Sequence, residues 1–301
     1  MRMIDRVPPP AYFAVSAVFH YLGPAFAVLL FAHVPVPGVA WLRIAGAALV
    51  FAIWCRPWRL MSGLDRPQLG VLVALGAVLA AMNTVFYLAI ARLPLATVGA
   101  IEFLGVIMLA AVGIRGRRNA VALVLAVAGV VALTDVRIVA EPLGIALAFA
   151  NCALFVLYVV LGHRIAGAGR QGVDRLAAAM LIAAVVAVPV GIGPAAAAFT
   201  HPGWLLAGIG VGICSSVIPY VTDQLAMARL PRATFALMLS ILPATATVIG
   251  MLVLAQLPTP QELTGLALVI AGVAIHQQEE NPCSTPGSAR RASRSRGSVS
   301  A

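Results

Sequence analysis

Two side chains of opposite charge stand in stretches that are otherwise apolar: Arg43 within VPGVAWLRIAGAALVF and Glu102 within ATVGAIEFLGV. An unpaired charge at mid-bilayer costs on the order of 3 kcal/mol on insertion scales, so both must face protein or water. A guanidinium can hold a carboxylate, and a buried acid can hold an ammonium or a proton. Glu102 is therefore a candidate to exchange a proton near neutral pH, unless Arg43 holds it ionised. The alternative is structural: the two pair only to fasten their helices together. Arg43 lies seven residues past Val36, and Glu102 eight past Pro94. At about 1.5 Å rise per residue, each sits roughly 10 to 12 Å below the same membrane face, so they can meet. Asn83 and, one turn further out on the same face, Tyr87 lie at a similar depth. His20 and Asn151 are near mid-span with Tyr158 below, and interhelical hydrogen bonding is their alternative role. Together these seven residues outline a polar pocket on a substrate and proton pathway. No metal or cofactor is implied, because Cys55, Cys152, Cys214 and Cys283 lie far apart, without CxxC or Cys/His spacing.

The elements that must position these groups are membrane helices. Of 301 residues, 62% are hydrophobic and 10% charged, with a mean hydropathy of +1.01. A soluble domain carries roughly 25% charged residues. About 20 mostly apolar residues cross the hydrocarbon. Cutting the chain at Pro, Gly and charge clusters predicts ten spans: 11–32, 36–55, 68–90, 94–114, 119–134, 142–162, 174–193, 203–222, 233–255 and 263–278. The first is retained, since it is long, lacks a convincing cleavage site and runs almost directly into the second.

The spans are duplicated. Leu88 to Thr97 reads LAIARLPLAT, and 137 residues later Leu225 to Thr234 reads LAMARLPRAT, eight of ten letters matching. AVAGV from Ala126 echoes VIAGV from Val269, and GVAWL from Gly38 echoes GVDRL from Gly172, which places Ala177 where the first half has Arg43. The predicted units are a first repeat over 11–135 and a second over 142–278, after a cytoplasmic N-terminus at 1–10. Matching halves are how many carriers are built, because a site between them opens to either side when one rocks against the other.

Arginine supplies all the positive charge of a chain whose formal balance is +10. With the N-terminus cytoplasmic, the inside segments carry Arg2 and Arg6; Arg56, Arg59 and Arg66; Arg115, Arg117 and Arg118; Arg164, Arg170 and Arg175; Arg229 and Arg232; and Arg290, Arg291, Arg294 and Arg296. Outside are only Arg92 and Arg137, so the positive-inside rule places both termini in the cytoplasm. Five spans per half is odd, so the second copy enters from the opposite face and the repeats are inverted. Arg92 then falls outside and its echo Arg229 inside. This distribution explains the basic balance better than a nucleic-acid partner does. Residues 281–301, rich in Ser, Gly, Pro and Arg, cannot bury enough apolar surface to fold, and are expected to be a disordered cytoplasmic tail attracted to anionic lipid. Its RRAS at Arg290 resembles a kinase site.

Mid-helix prolines at Pro24, Pro189, Pro219 and Pro243 free backbone carbonyls and bend helices, which suits either a hinge or a passive kink. Gly208 and Gly212 offer a GxxxG face. The fifth and tenth spans read as short. No GxSxG, HExxH or DDxxD is present, which argues against an intramembrane enzyme, and no GxxxxGK[ST] loop supports ATP-driven transport. A scaffold or sensor would have no need of buried charge. A secondary carrier in the cytoplasmic membrane accounts for the duplication, the charge pattern and the polar residues at one depth. Its oligomeric state, including a homodimer, is left open.

On these residues the chain resembles the EamA branch of the drug/metabolite transporter superfamily, and within it the bacterial inner-membrane threonine and homoserine exporters. The resemblance is carried by VPGVAWLRIAGAAL at Val36 with RPWRL at Arg56, MNTVFYLAIARLPL at Met82, AIEFLGV at Ala100, and IPYVTDQLAMARLPRATFALMLSILPA at Ile218. It implies an all-α membrane fold of ten helices in two inverted five-helix repeats around a central cavity, with the fifth and tenth helices towards the periphery. It also implies export of small amino-acid-like metabolites without ATP, with drugs or other metabolites of the superfamily as the alternative cargo. Carried over, the helix 2 arginine is Arg43, the helix 3 Asn and Tyr are Asn83 and Tyr87, and the helix 4 glutamate is Glu102. Two departures stand out. The exporters' Glu-Pro in helix 9 is here Leu242-Pro243, and the Gly-Pro of helix 4 is Gly105-Val106. Glu102 is left as the sole deep carboxylate.

Overall fold

The computed structural model describes residues 9–113, 117–138, 141–165, 170–227 and 242–278, and all regular structure among them is helical. The first half holds α1 (Pro9–Leu30), α2 (Val36–Cys55), a short α3 (Pro57–Met61), α4 (Arg66–Ile90), α5 (Leu95–Gly113) and α6 (Arg117–Ile138). The second holds α7 (Pro142–Ile165), α8 (Arg170–Val186), the short α9 (Val188–Gly191) and α10 (Ala196–Thr200), α11 (Pro202–Gly212), α12 (Ile218–Met227), α13 (Leu242–Leu254) and α14 (Pro260–Gln278). A π-turn, Ile213–Val217, joins α11 to α12.

Proline stands in the first turn of α2, α3, α4 and α11, where its missing N–H breaks no intrahelical bond. Among the described residues, four helical stretches are long and apolar enough to cross a membrane: Val36–Cys55, Arg66–Ile90, Pro142–Gly162 and Pro202–Thr222. Their outward faces are greasy. Ile53 is 73% exposed and Leu252 77%, as expected where the surrounding solvent is lipid rather than water.

The expectation that the fifth and tenth spans are short is corrected. α6 has 22 residues and α14 has 19. Charged residues at their ends, such as Arg117, Arg118, Asp135 and Glu262, hid the true lengths from a cut made on hydropathy. The seventh span divides at Ala187, just before Pro189, into α8 and α9. The eighth carries the π-turn in mid-course. The expected ninth span begins outside the described residues, as do the second ARLP turn with Arg229 and the tail at 281–301.

Glycine sets the closest approaches. A Cβ on Gly46 would stand 2.9 Å from the Ile209 Cα, and one on Gly212 would stand 2.5 Å from the Arg43 carbonyl oxygen. The Gly208/Gly212 face therefore seats directly on α2. On α6 and α14 the echoed AVAGV and VIAGV segments meet each other reciprocally. Gly129 faces Gly265 and Val269, while Gly272 faces Ala122 and Ala126. Gln261 Nε2 donates to the Ala132 carbonyl at 3.3 Å. Numbers rise along one helix as they fall along the other, so the pair is antiparallel. A self-complementary contact of this kind is what a two-fold relation between like segments produces. The same exchange recurs elsewhere: α1 packs on α11, α12 and α13, and α7 packs on α4 and α5.

The apolar interior falls into two clusters. One gathers Tyr21, Val39, Leu42, Phe86, Leu95 and Ile101 with their neighbours. The other gathers Ile44, Phe51, Leu75, Met82 and Met180 with theirs. The seam between them crosses α2 between Leu42 and Ile44 and α4 between Met82 and Phe86. Arg43 and Asn83 occupy that seam.

Candidate substrate and proton site

Six elements bring polar groups to the seam, and the second half supplies the unexpected part. Pro219 has no N–H to give the carbonyl four residues back, that of Ser215. Arg43 takes that place: its Nη2 donates to the Ser215 carbonyl at 3.2 Å and its Nε to Ser216 Oγ at 3.2 Å. The π-turn, whose hydrogen bonds span one residue more than those of an α-helix, presents both serines to α2, and both are buried. Ser215 Oγ itself donates to the Val211 carbonyl at 2.6 Å. Hydrogen bonds to a charged group are worth about 1.5–3 kcal/mol each, so this pair of contacts fixes where the guanidinium sits. Two of its five donors are used there; the rest remain for a ligand or water.

The guanidinium carbon also stands 5.2 Å from the centre of the Tyr87 ring, within cation–π range. The Tyr87 hydroxyl lies beside Ser215 and Arg43 but makes no hydrogen bond of proper geometry. Asn83 is buried as expected, but its Nδ2 is turned back to the Leu79 carbonyl of its own helix at 2.7 Å.

Glu102 is buried on α5, and Asn151 of α7 is the side chain beside its carboxyl. Among the described residues Arg43 and Glu102 form no ion pair; each acts on the other through space. The reading in which they merely clamp α2 to α5 is therefore not what the geometry supports. Both polar atoms of the Asn151 amide are buried without a hydrogen bond of proper geometry, and so is the Tyr21 hydroxyl, which reaches over Gly99 towards Glu102. Unsatisfied buried polar groups are costly, at about 1–3 kcal/mol apiece. Three residues with such groups, Tyr21, Tyr87 and Asn151, surround one acid and one guanidinium. The half-buried His20 packs edge-on against Tyr21 with ring centres 5.2 Å apart, on the Arg43 side of the cluster. Tyr158 does not join it: its ring packs on Phe155 at 5.8 Å, in the apolar cluster with α8.

Sequence reasoning missed Tyr21, Ser215 and Ser216. The serine pair just before Ile218-Pro219, inside an apolar span, was the available signal. The departure at Leu242 is buried in the first apolar cluster. At the other departure, Gly105 leaves room that Cys152 and Val156 fill, a Cβ there standing 2.7 Å from Cys152 Sγ.

Comparison with known proteins identifies the family. Residues 142–276 match the EamA-like transporter family. The threonine/homoserine exporter RhtA of Escherichia coli (strain K12) is 37% identical over 253 residues, covering 83% of this chain and 84% of that protein. The chain belongs to the EamA-like transporter family. The threonine/homoserine exporter RhtA of Salmonella typhimurium (strain LT2) is 35% identical over the same length. A solved crystal structure superposes over 91% of this EamA-like chain and all of its own, with a TM-score of 0.56 at 19% identity. That last likeness concerns the fold alone.

Proposed function

We propose that this EamA-like transporter is a secondary carrier of the cytoplasmic membrane that exports small amino acids such as threonine or homoserine. The observation that carries the reading is the polar seam itself. One guanidinium anchored by a freed carbonyl, one acid held apart from it, and buried amide and hydroxyl groups without partners suit a small zwitterion. The exporter relatives support the same cargo.

In this reading the substrate carboxylate meets the remaining donors of Arg43, and its ammonium meets Glu102 with Asn151 and Tyr21 alongside. The antiparallel, reciprocal contact of α6 with α14 supports ten spans in two inverted repeats, and the arginine distribution supports both termini in the cytoplasm. Inverted repeats favour alternating access, one bundle rocking against the other. A proton returning through Glu102 resets the carrier. Radiolabelled threonine efflux from proteoliposomes under an imposed pH gradient tests this. An efflux rate unchanged by Glu102→Gln at every pH removes the proton role; no efflux of any amino acid removes the cargo.

A further inference from the structure

A cavity of about 380 Å³ opens at the turn between α4 and α5, away from the seam. Its wall combines both halves of the chain: Arg92 and Thr97 from the first, and Thr247, Gln256 and Glu262 from the second. Thr97, Thr247 and Glu262 are buried while Arg92 is exposed, so the cation stands at the mouth and the acid lies deep. The rest of the wall is apolar, and a mainly apolar cleft with a few convergent polar groups is the make-up of a small-molecule site.

The wall is held rigidly. Gln256 Oε1 accepts the Leu95 N–H at 3.2 Å, and the absence of a side chain at Gly250 makes room for that amide. Glu262 closes a capping box at the start of α14: its Oε2 accepts the Thr259 N–H at 2.8 Å, and its own N–H donates to Thr259 Oγ1 at 3.2 Å. Arg92 donates from Nη1 to the Leu88 carbonyl at 3.1 Å and keeps its other N–H groups.

Thr97 is five residues before Glu102 on α5, roughly 7.5 Å along the helix axis at about 1.5 Å per residue. None of the seam residues lines the cavity; on α5 between Thr97 and Glu102, Gly99 is covered by the fully buried Tyr21 ring and Ile101 is itself fully buried. The cavity is thus a separate chamber one and a half turns beyond the deep acid.

We propose that this chamber is an outward staging site for a small zwitterionic amino acid, taking its carboxylate at Arg92, its ammonium at Glu262 and a side-chain hydroxyl at Gln256, Thr97 or Thr247. The inference rests on the export reading and on its sidedness. A cargo molecule leaving the seam pauses here before release, and the same molecule at high concentration outside re-occupies the chamber.

Cysteine protection in proteoliposomes decides it. Leu257, 84% exposed on the cavity rim, is changed to cysteine in full-length protein whose four native cysteines are alanine, and modified by a membrane-impermeant thiol reagent from outside. Saturating external threonine is expected to slow modification of L257C at least about fivefold, and Arg92→Gln to raise the half-protecting concentration about tenfold. Protection is expected to survive Glu102→Gln. No protection, protection indifferent to Arg92→Gln, or protection lost with Glu102→Gln each overturns the site, as does a thiol unreactive from outside. If L257C is poorly inserted, Ala91→Cys on the opposite rim gives the same readout. Protection persisting in a protein that exports no amino acid overturns the export reading and leaves the staging site standing.

Discussion

The two halves of the proposed inverted repeat echo one another in sequence but differ in chemistry. In the first, α2 carries Arg43 into the seam and α5 carries Glu102. In the second, the position echoing Arg43 is Ala177, fully buried in the apolar cluster around Met180, and the position where exporters typically bear an acid is Leu242. What the second half contributes to the seam is neutral: a carbonyl that Pro219 leaves without an N–H, the Ser216 hydroxyl and the Asn151 amide. Charge thus sits on one side and its acceptors on the other. The proposed duplication accounts for the matching surfaces of α6 and α14. A site for an asymmetric zwitterion needs the copies to differ.

Moving the charge is the harshest way to break that comparison. In the double variant Arg43→Ala, Ala177→Arg the guanidinium enters a packed apolar cluster, where an unpaired buried charge destabilises by roughly 3–5 kcal/mol. We expect a much lowered melting temperature in detergent and no recovery of efflux. Recovery would mean that the halves are chemically interchangeable after all.

Next come the places where the halves are alike. Gly129→Val and Gly272→Val each push a side chain into the facing helix, and overpacking of this kind costs about 1–3 kcal/mol. By the reciprocal contact, the two should lower thermal stability by similar amounts. A loss confined to one of them contradicts the two-fold relation.

Glu102→Gln keeps the shape of the acid and removes its charge and its proton. Efflux driven by a pH gradient should fall on the order of tenfold or more, the loss expected when an intramembrane proton carrier is neutralised, while melting changes little. The smallest effect is expected at the anchor. Ser216→Ala removes one acceptor from Arg43 and costs about 1 kcal/mol. It should appear as a several-fold higher KM for threonine efflux, because the guanidinium loses its fixed position. An unchanged KM would show that the Ser215 carbonyl alone holds it.

Much of this was written in the sequence. Span positions follow from apolar runs bounded by proline, glycine and arginine, and α2 lies where hydropathy put it, at Val36–Cys55. The kinship of α6 and α14 was legible as two echoed pentapeptides, but that they pack on each other was not. Nor were their lengths, since charged helix ends read as loop. That Arg43 and Glu102 lie deep in one bundle was legible, because a charge in an apolar run has few places to go.

The tertiary structure decided who answers whom. Sequence depth alone let Arg43 and Glu102 pair directly; the fold instead gives Arg43 to Ser215 and Ser216, and leaves Asn151 and Tyr21 beside the acid. It also sends Tyr158 into an apolar cluster and turns Asn83 back on its own helix. Hydropathy is a one-dimensional property that a chain carries wherever it goes, so it fixes which residues are buried. Partners are set by the rotation and crossing of helices, which depend on glycine contacts between distant segments and on a single proline that removes one N–H.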